Sequence, residues 1–234
     1  MTAFFLKGLT GFGPAMVFVP AVGLLLGPRI SLVASAFIDL LVGLGMLLAI
    51  RYEKEDWRFI LTMSGFMLLG TMVGSSLAGY APAQLVLGLI GLFVLFFGAN
   101  FILYDLPLPP RFFKSRFFKP WAGGVIGGFT GGLVGISGPF VVAVTRPLMD
   151  KTRFRQVMVA VLFIGGAMRL FVYGAVGMWN VEVVRLIVLA SPGVIIGLLV
   201  GFRTHMTIGE RKFNLVVGIV LVLIALRIGW GLVG

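Results

Sequence analysis

Apolar residues in this chain neither alternate nor form one-sided stripes. They run on for about twenty positions at a time, the length a helix needs to span a bilayer's hydrocarbon core, and then give way to short clusters of Arg, Lys and Pro. Such runs occupy residues 30–50, 59–80, 84–104, 156–179, 183–202 and 213–230, and each is predicted to be a transmembrane helix. Two further apolar stretches are interrupted. Residues 3–26 break at Gly11-Phe12-Gly13-Pro14, and residues 121–145 hold eight glycines between Trp121 and Pro139. Glycine in a helix interior costs about 1 kcal/mol relative to alanine, whereas proline suits the first position of a new helix. Each stretch is therefore predicted to be two short helices meeting at a turn, the second starting at Pro14 or Pro139. In the later stretch the turn is placed around Gly135-Ile136-Ser137-Gly138.

The segment between the two sets of runs, LPLPPRFFKSRFFKP at residues 106–120, is rich in proline and pairs aromatic with cationic residues as interfacial segments do. It divides the chain into an N-terminal repeat (residues 1–105) and a C-terminal repeat (residues 121–234), each a broken segment followed by three spans. Gly13-Pro14 recurs as Gly138-Pro139, Trp57 as Trp179, and Gly70-x-x-x-Gly74 as Gly193-x-x-x-Gly197. This is the pattern of an internal duplication.

Composition agrees with the runs. With 59% hydrophobic residues, 12% charged and a mean hydropathy of +1.11, the chain belongs to the polytopic membrane class. The net charge of +11 sits in short loops, so it reads as a topology signal and not as a nucleic-acid surface. The absence of cysteine excludes a disulfide framework or thiolate site, and the single histidine, His205, excludes a His-rich metal site. No cofactor or metal is expected. The first apolar run, studded with Gly and Pro, reads as part of the body and not as a cleavable signal.

Charge then selects a topology. If both broken segments crossed the membrane, the loop cations would divide almost evenly between the two faces. If both are re-entrant, every loop cation except Arg29 falls on one face. The positive-inside rule favours the second arrangement. It gives each half three crossings, an odd number, so the halves are inverted relative to one another. The predicted fold is an all-α polytopic membrane protein of two inverted repeats, with both termini outside and residues 106–120 in the cytoplasm. Inverted repeats with broken helices are a common transporter plan.

In that arrangement the helices starting at Pro14 and Pro139 point their N-termini at each other near the midplane. Helix N-termini offer free N–H groups and about half a positive charge, so the pair is suited to a small anion. Gly11, Phe12 and Gly13 would form one wall and Gly135, Ile136, Ser137 and Gly138 the other, with Thr10 and Ser137 adding hydroxyls. The competing reading is that the glycines serve close helix packing. Two charges also lie within spans, Asp39 and Arg169, in corresponding segments of the halves. Intramembrane charges default to functional roles. Either they form a structural ion pair, or Arg169 joins the anion site and Asp39 serves proton coupling. Lys7 either lines the outer approach or reaches the interface. Arg185 and Arg227 are expected to snorkel, Asn100 and Gln84 to pack between helices, and Pro192 to kink its span.

The stretches GLTGFGPAMVFVPAVGLLLG and GGVIGGFTGGLVGISGPFVV, with Asp56-Trp57-Arg58 ahead of a glycine-rich span, resemble the sulfite exporter TauE/SafE family of membrane proteins. The likeness covers both halves. It implies movement of sulfite, organosulfonates or related sulfur oxyanions across the cytoplasmic membrane. One departure is that only twelve residues precede Gly13, so the first half-helix is short or the start lies upstream of Met1.

The leading expectation is a secondary carrier of a small sulfur-containing anion. A carrier of another anion such as a carboxylate, and a non-transporting scaffold, are the alternatives. A membrane-embedded enzyme would need clustered ionisable groups, which Asp39 and Arg169 alone do not supply. No G-x-x-x-x-G-K-[ST] loop is present to harness ATP. The expected partners are the anion and the bilayer, with no nucleic acid, and a homodimer is left open.

Overall fold

A computed structural model describes residues 15–47, 52–104, 120–181, 183–185, 187–188 and 210–233. The described residues are helical, with no strand among them. In order they form α1 (Ala15–Leu26), α2 (Pro28–Leu47), α3 (Lys54–Tyr80), α4 (Ala83–Tyr104), α5 (Pro120–Val134), α6 (Gly138–Thr145), a single 3-10 turn at Arg146–Leu148, α7 (Lys151–Ala175) and α8 (Glu210–Val233). Four of these, α3, α4, α7 and α8, contain stretches long and apolar enough to cross a membrane, whereas α1 and α5 are shorter apolar helices. Thr10, Gly11, Phe12 and Gly13, the linker up to Lys119, Lys7, Pro192 and His205 lie outside the described residues.

Helix starts follow local chemistry. At α3 the Asp56 carboxylate accepts from the Glu53 amide at 3.2 Å, and Glu55 and Asp56 place negative charge at the positive end of the helix dipole. At α7, Asp150 caps the helix by accepting from the Thr152 amide at 2.8 Å and the Arg153 amide at 3.0 Å. These amide donors, that of Arg153 first, hold the Asp150 carboxyl below its ordinary range. A depressed carboxylate stabilises the fold above the ordinary range and loses that contribution as pH falls through its lowered value. Asp150→Ala is therefore expected to lower the melting temperature at neutral pH and to change little in acid. Asp150→Asn should retain the cap without the pH dependence. Thermal melts of the detergent-solubilised protein across pH read both outcomes.

Side-by-side contacts set helix directions. Arg153 bridges the starts of α3 and α7, with Nε on Asp56 Oδ1 at 2.5 Å and Nη2 on Glu55 Oε2 at 3.0 Å, so both helices begin on one face. Gly43 abuts Phe163, and Gly166 abuts Ala36 and Asp39, which makes α2 antiparallel to α7. Gly91 abuts Ile228 and Gly98 abuts Leu221, which makes α4 antiparallel to α8. The basic residues at the starts of α3, α7 and α8 thus share a face, while Arg29 lies at the opposite one, donating to the Gly79 carbonyl at 2.9 Å. Trp57 and Trp121 are exposed at the basic face, Trp179 and Trp230 towards the other, as aromatic residues are at the two surfaces of a bilayer.

The glycine-rich stretch folds differently from a simple reading of propensity. Six of its glycines lie inside a regular helix, α5, in two rows. Gly123, Gly127 and Gly131 face Val144, Val141 and Ser137, so α6 runs back antiparallel along α5 and both outer ends of this hairpin meet the basic face. Gly124, Gly128 and Gly132 face the backbone of α3 near Met63, Met67 and Ser75, while Gly70 and Gly74 of α3 face the Val125 and Phe129 carbonyls in return. The residue numbers rise together, so α3 and α5 are parallel. A Cβ at Gly70, Gly74 or Gly128 would fall on a facing carbonyl oxygen. Close packing of this kind, rather than intrinsic propensity, holds α5 helical. Thr71 Oγ1 adds a hydrogen bond to the Gly128 carbonyl at 3.4 Å.

Candidate functional site

The helix breaks where this packing ends. Gly135 takes φ +75°, a conformation that L side chains rarely adopt, and the Cβ it lacks would meet Val19 at 2.9 Å and Leu32 at 3.0 Å. Ile136 and Ser137 complete the turn, and α6 starts at Gly138 with Pro139 in its first turn. Gly135, Ile136, Ser137, Gly138 and Pro139 are all buried. The break lies where two apolar clusters meet. One, towards the basic face, contains Ile60, Met63, Met67, Val141, Val157 and Met158. The other contains Val19, Leu32, Ala36, Leu170 and Met178. Fifteen residues of α5 rise about 22 Å at 1.5 Å each, against a hydrocarbon core about 30 Å thick.

Into this interior α7 projects a charged side chain. Arg169 is wholly buried; its Nη1 donates to the Gly135 carbonyl at 3.0 Å and its Nη2 to Asp39 Oδ2 of α2 at 2.6 Å. Asp39 is itself buried. The pair links the two spans that the sequence singled out, and the Gly135 contact sets a full positive charge at the carbonyl end of α5, where the helix dipole is negative. The Arg169 Nε–H, also buried, has no hydrogen-bond partner among the described residues. An unmet guanidinium donor in a dry interior is costly. The Arg169 stem crosses Gly131: a Cβ there would lie 3.5 Å from Arg169 Cδ, 3.0 Å from Ser137 Cβ and 3.6 Å from Ser137 Oγ. Guanidinium stem and serine side chain therefore both flank Gly131 in the last turn of α5.

One turn further along α7, the Tyr173 hydroxyl donates to the Gly132 carbonyl at 2.8 Å, with the Gly131 carbonyl at 3.3 Å. Arg169 and Tyr173 together satisfy carbonyls left open at the α5 C-terminus. Sequence reasoning did not single out Tyr173. The available signal was its position four residues after Arg169, on the same face of one helix. On the other side of the break, the Gly138 and Phe140 amides have no backbone acceptor among the described residues, the first bond of α6 running from the Val141 amide to the Ser137 carbonyl at 3.5 Å. The structure thus brings together Gly135, Ile136, Ser137, Gly138, Arg169 and Asp39.

Other polar residues fall elsewhere. Ser31 and Ser35 of α2 donate to the Pro28 and Leu32 carbonyls at 2.8 Å each. Arg185 and Arg227 are exposed. Asn100 is buried in α4 and donates to Phe96 at 3.4 Å, but Gln84 is exposed at the start of that helix instead of packing between helices as expected. It is the second residue of α4, at the helix end and not along its packed length. No cluster of potential metal ligands occurs among the described residues.

A family model described as sulfite exporter TauE/SafE matches residues 1–228. A protein of Cupriavidus necator named a probable sulfite/organosulfonate exporter TauE is 26% identical over 204 residues, covering 85% of this chain and 78% of that protein. No solved structure matches the chain. The family match spans nearly the whole sequence, so the chain belongs to that family and is a multi-pass cell-membrane protein.

Proposed function

We propose, from the premise that this is a member of the sulfite exporter TauE/SafE family, that it is a secondary carrier moving a small sulfur oxyanion out across the cytoplasmic membrane. The relative's name gives sulfite and organosulfonates as the substrate class. The observation that carries the site is the buried Arg169 guanidinium at the start of α6, with one N–H unmet. An oxyanion lodged there would accept from Arg169 Nε, from the Ser137 hydroxyl and from first-turn amides of α6. Charge-assisted hydrogen bonds are worth about 1.5–3 kcal/mol each. On this reading Gly11, Phe12, Gly13 and Thr10 supply the opposing wall, from the N-terminal half, and the halves are inverted repeats. Asp39 is the proton-coupling candidate, since its charge state decides how firmly Arg169 is held. On this reading the positive-inside rule makes the basic face the cytoplasmic one.

The test is flux of labelled sulfite from proteoliposomes, with ligand binding measured by calorimetry on the purified protein. Gly138→Val sets a branched side chain among the first-turn amides of α6. It is expected to lower sulfite affinity by about 100-fold or more, equivalent to losing two such hydrogen bonds, in protein that stays monodisperse. Parental affinity in Gly138→Val would remove the α6 N-terminus as the site. Absence of substrate-dependent flux in the parent would favour a scaffold instead.

A further inference from the structure

Two seams run along α3, and they are built differently. Against α5, backbone meets backbone: a Cβ at Gly70, Gly74 or Gly128 would fall on a facing carbonyl oxygen. Against α7, side chains fill the contact. Arg153 joins Asp56 and Glu55 at the basic face. Further in, the Met67 side chain lies over Gly165, where a Cβ would meet its Cε at 2.5 Å and its Sδ at 3.0 Å. At the far end Gly79 abuts Val176, just past the end of α7. The residue numbers rise together, so α3 and α7 run parallel in a constant register. That register sets Ser64 level with Val161 and Thr71 level with Arg169. Ser64, Thr71 and Ser75 recur at helical spacing on one face of α3, and all three are buried. Beyond Asp56, the other buried residues of α3 are Ile, Met, Ala and Gly. The Ser64 hydroxyl has no hydrogen-bond partner among the described residues, not even the carbonyl one turn back that a helical serine can reach. A buried donor left unmet in a native fold needs a reason.

We propose that the α3–α7 seam is the route by which the oxyanion passes between the basic face and Arg169. Ser64 and Thr71 donate to it along the way, and the Arg153 bridge closes the mouth. This rests on reading the Arg169 interior as the anion site. Hydroxyls suit a passing anion, because they donate a hydrogen bond without the full charge that would hold it. Methionine has three rotatable bonds and a polarizable sulfur, so Met63, Met67 and Met158 can repack as an ion moves by. The α3–α5 seam, backbone on backbone, has no such give. At the mouth the Arg153 side chain is 34% exposed and that of Asp56 only 2%, so the bridge stands at the boundary between water and the dry seam.

The chain has no native cysteine, so pairs can be introduced without background. Glu55 and Thr152 are exposed and level across the mouth, and replacing them leaves the Arg153–Asp56 contact in place. In proteoliposomes, joining Glu55→Cys to Thr152→Cys with a flexible bis-methanethiosulfonate linker is expected to reduce sulfite efflux at least about tenfold, with recovery on reduction. The same linker between Thr62→Cys and Trp121→Cys, both exposed and astride the α3–α5 seam, is expected to leave efflux at the parental rate. Ser64→Ala removes an unmet hydroxyl, so it is expected to melt no lower than the parent. It is nevertheless expected to slow efflux about tenfold, the equivalent of one charge-assisted hydrogen bond. Parental efflux in the cross-linked Glu55/Thr152 protein or in Ser64→Ala would overturn the route, as would an equal loss in the Thr62/Trp121 control. Sulfite binding by calorimetry keeps route and site apart. Parental efflux through a cross-linked mouth, with sulfite binding still lost in Gly138→Val, would remove the route and leave the α6 site. Efflux blocked by the linker, with parental binding in Gly138→Val, would support the route and remove the α6 site.

Discussion

Replacing Arg169 with alanine is expected to destabilise the protein by about 3–5 kcal/mol, the usual cost of stranding one partner of a buried ion pair. Asp39 would keep its charge in a dry interior without the Nη2 donor, and the Gly135 carbonyl would lose the only side-chain donor it has among the described residues. The double variant Asp39→Asn with Arg169→Gln removes both charges at nearly constant volume. It is expected to recover most of the lost melting temperature, because the broken charge pairing and not the lost volume dominates the cost. Sulfite flux is expected to stay lost in the double variant, since no guanidinium then faces Ser137. Melting temperature and flux in the two variants separate the roles. Full transport by the double variant would reduce the pair to a structural strut.

Adding single methyl groups along the α3–α5 seam is expected to rank next. In Gly128→Ala the new Cβ falls on the Met67 carbonyl, and in Gly70→Ala on that of Val125. Neither obstacle is a flexible side chain that can swing aside, so the helices must part along their length. Overpacking of this kind costs about 1–3 kcal/mol and sometimes more. Gly65→Ala, whose Cβ would meet nothing within 4 Å, is the control on the same helix and is expected to be neutral or slightly stabilising through helix propensity. Thermal unfolding in detergent measures all three. If Gly128→Ala and Gly65→Ala melted alike, the close approach of α3 and α5 could not be what stabilises α5.

These two predictions also mark how far the sequence could be read. Long apolar runs and charged boundaries were enough to place α3, α4 and α8, because a span is specified by composition over twenty positions. The break at Gly135-Ile136-Ser137-Gly138 was legible because Gly and Pro constrain the backbone locally. Asp39 and Arg169 were visible as charges that had no business in lipid. That they meet depends on the antiparallel crossing of α2 and α7, which residues 130 positions apart do not announce. The sequence also could not say that Gly123, Gly127 and Gly131 would face α6 while Gly124, Gly128 and Gly132 face α3. Propensity counts both rows alike as poor helix formers, and which neighbour each faces is decided by packing. Tyr173 passed unnoticed because a phenol among Leu, Phe and Val reads as one more apolar residue until its hydroxyl has a carbonyl to bond.

The depth of the break has an electrical consequence. On the proposed topology, with the basic face cytoplasmic and α5 rising about 22 Å into a core of about 30 Å, an ion at its end has crossed roughly three-quarters of the membrane's field. One elementary charge moved across the whole field exchanges about 2.3 kcal/mol per 100 mV. In a cell that is negative inside, a departing monoanion would then gain about 1.7 kcal/mol per 100 mV on the way in from the cytoplasm and only about a third of that on the way out. Loading is the step the membrane potential assists most. Release to the exterior is left mainly to the site's own affinity. In proteoliposomes clamped at different potassium-diffusion potentials, the sulfite concentration for half-maximal efflux is expected to fall steeply as the cytoplasmic side is made negative. Little change in that concentration would place the binding step nearer the basic face than the break.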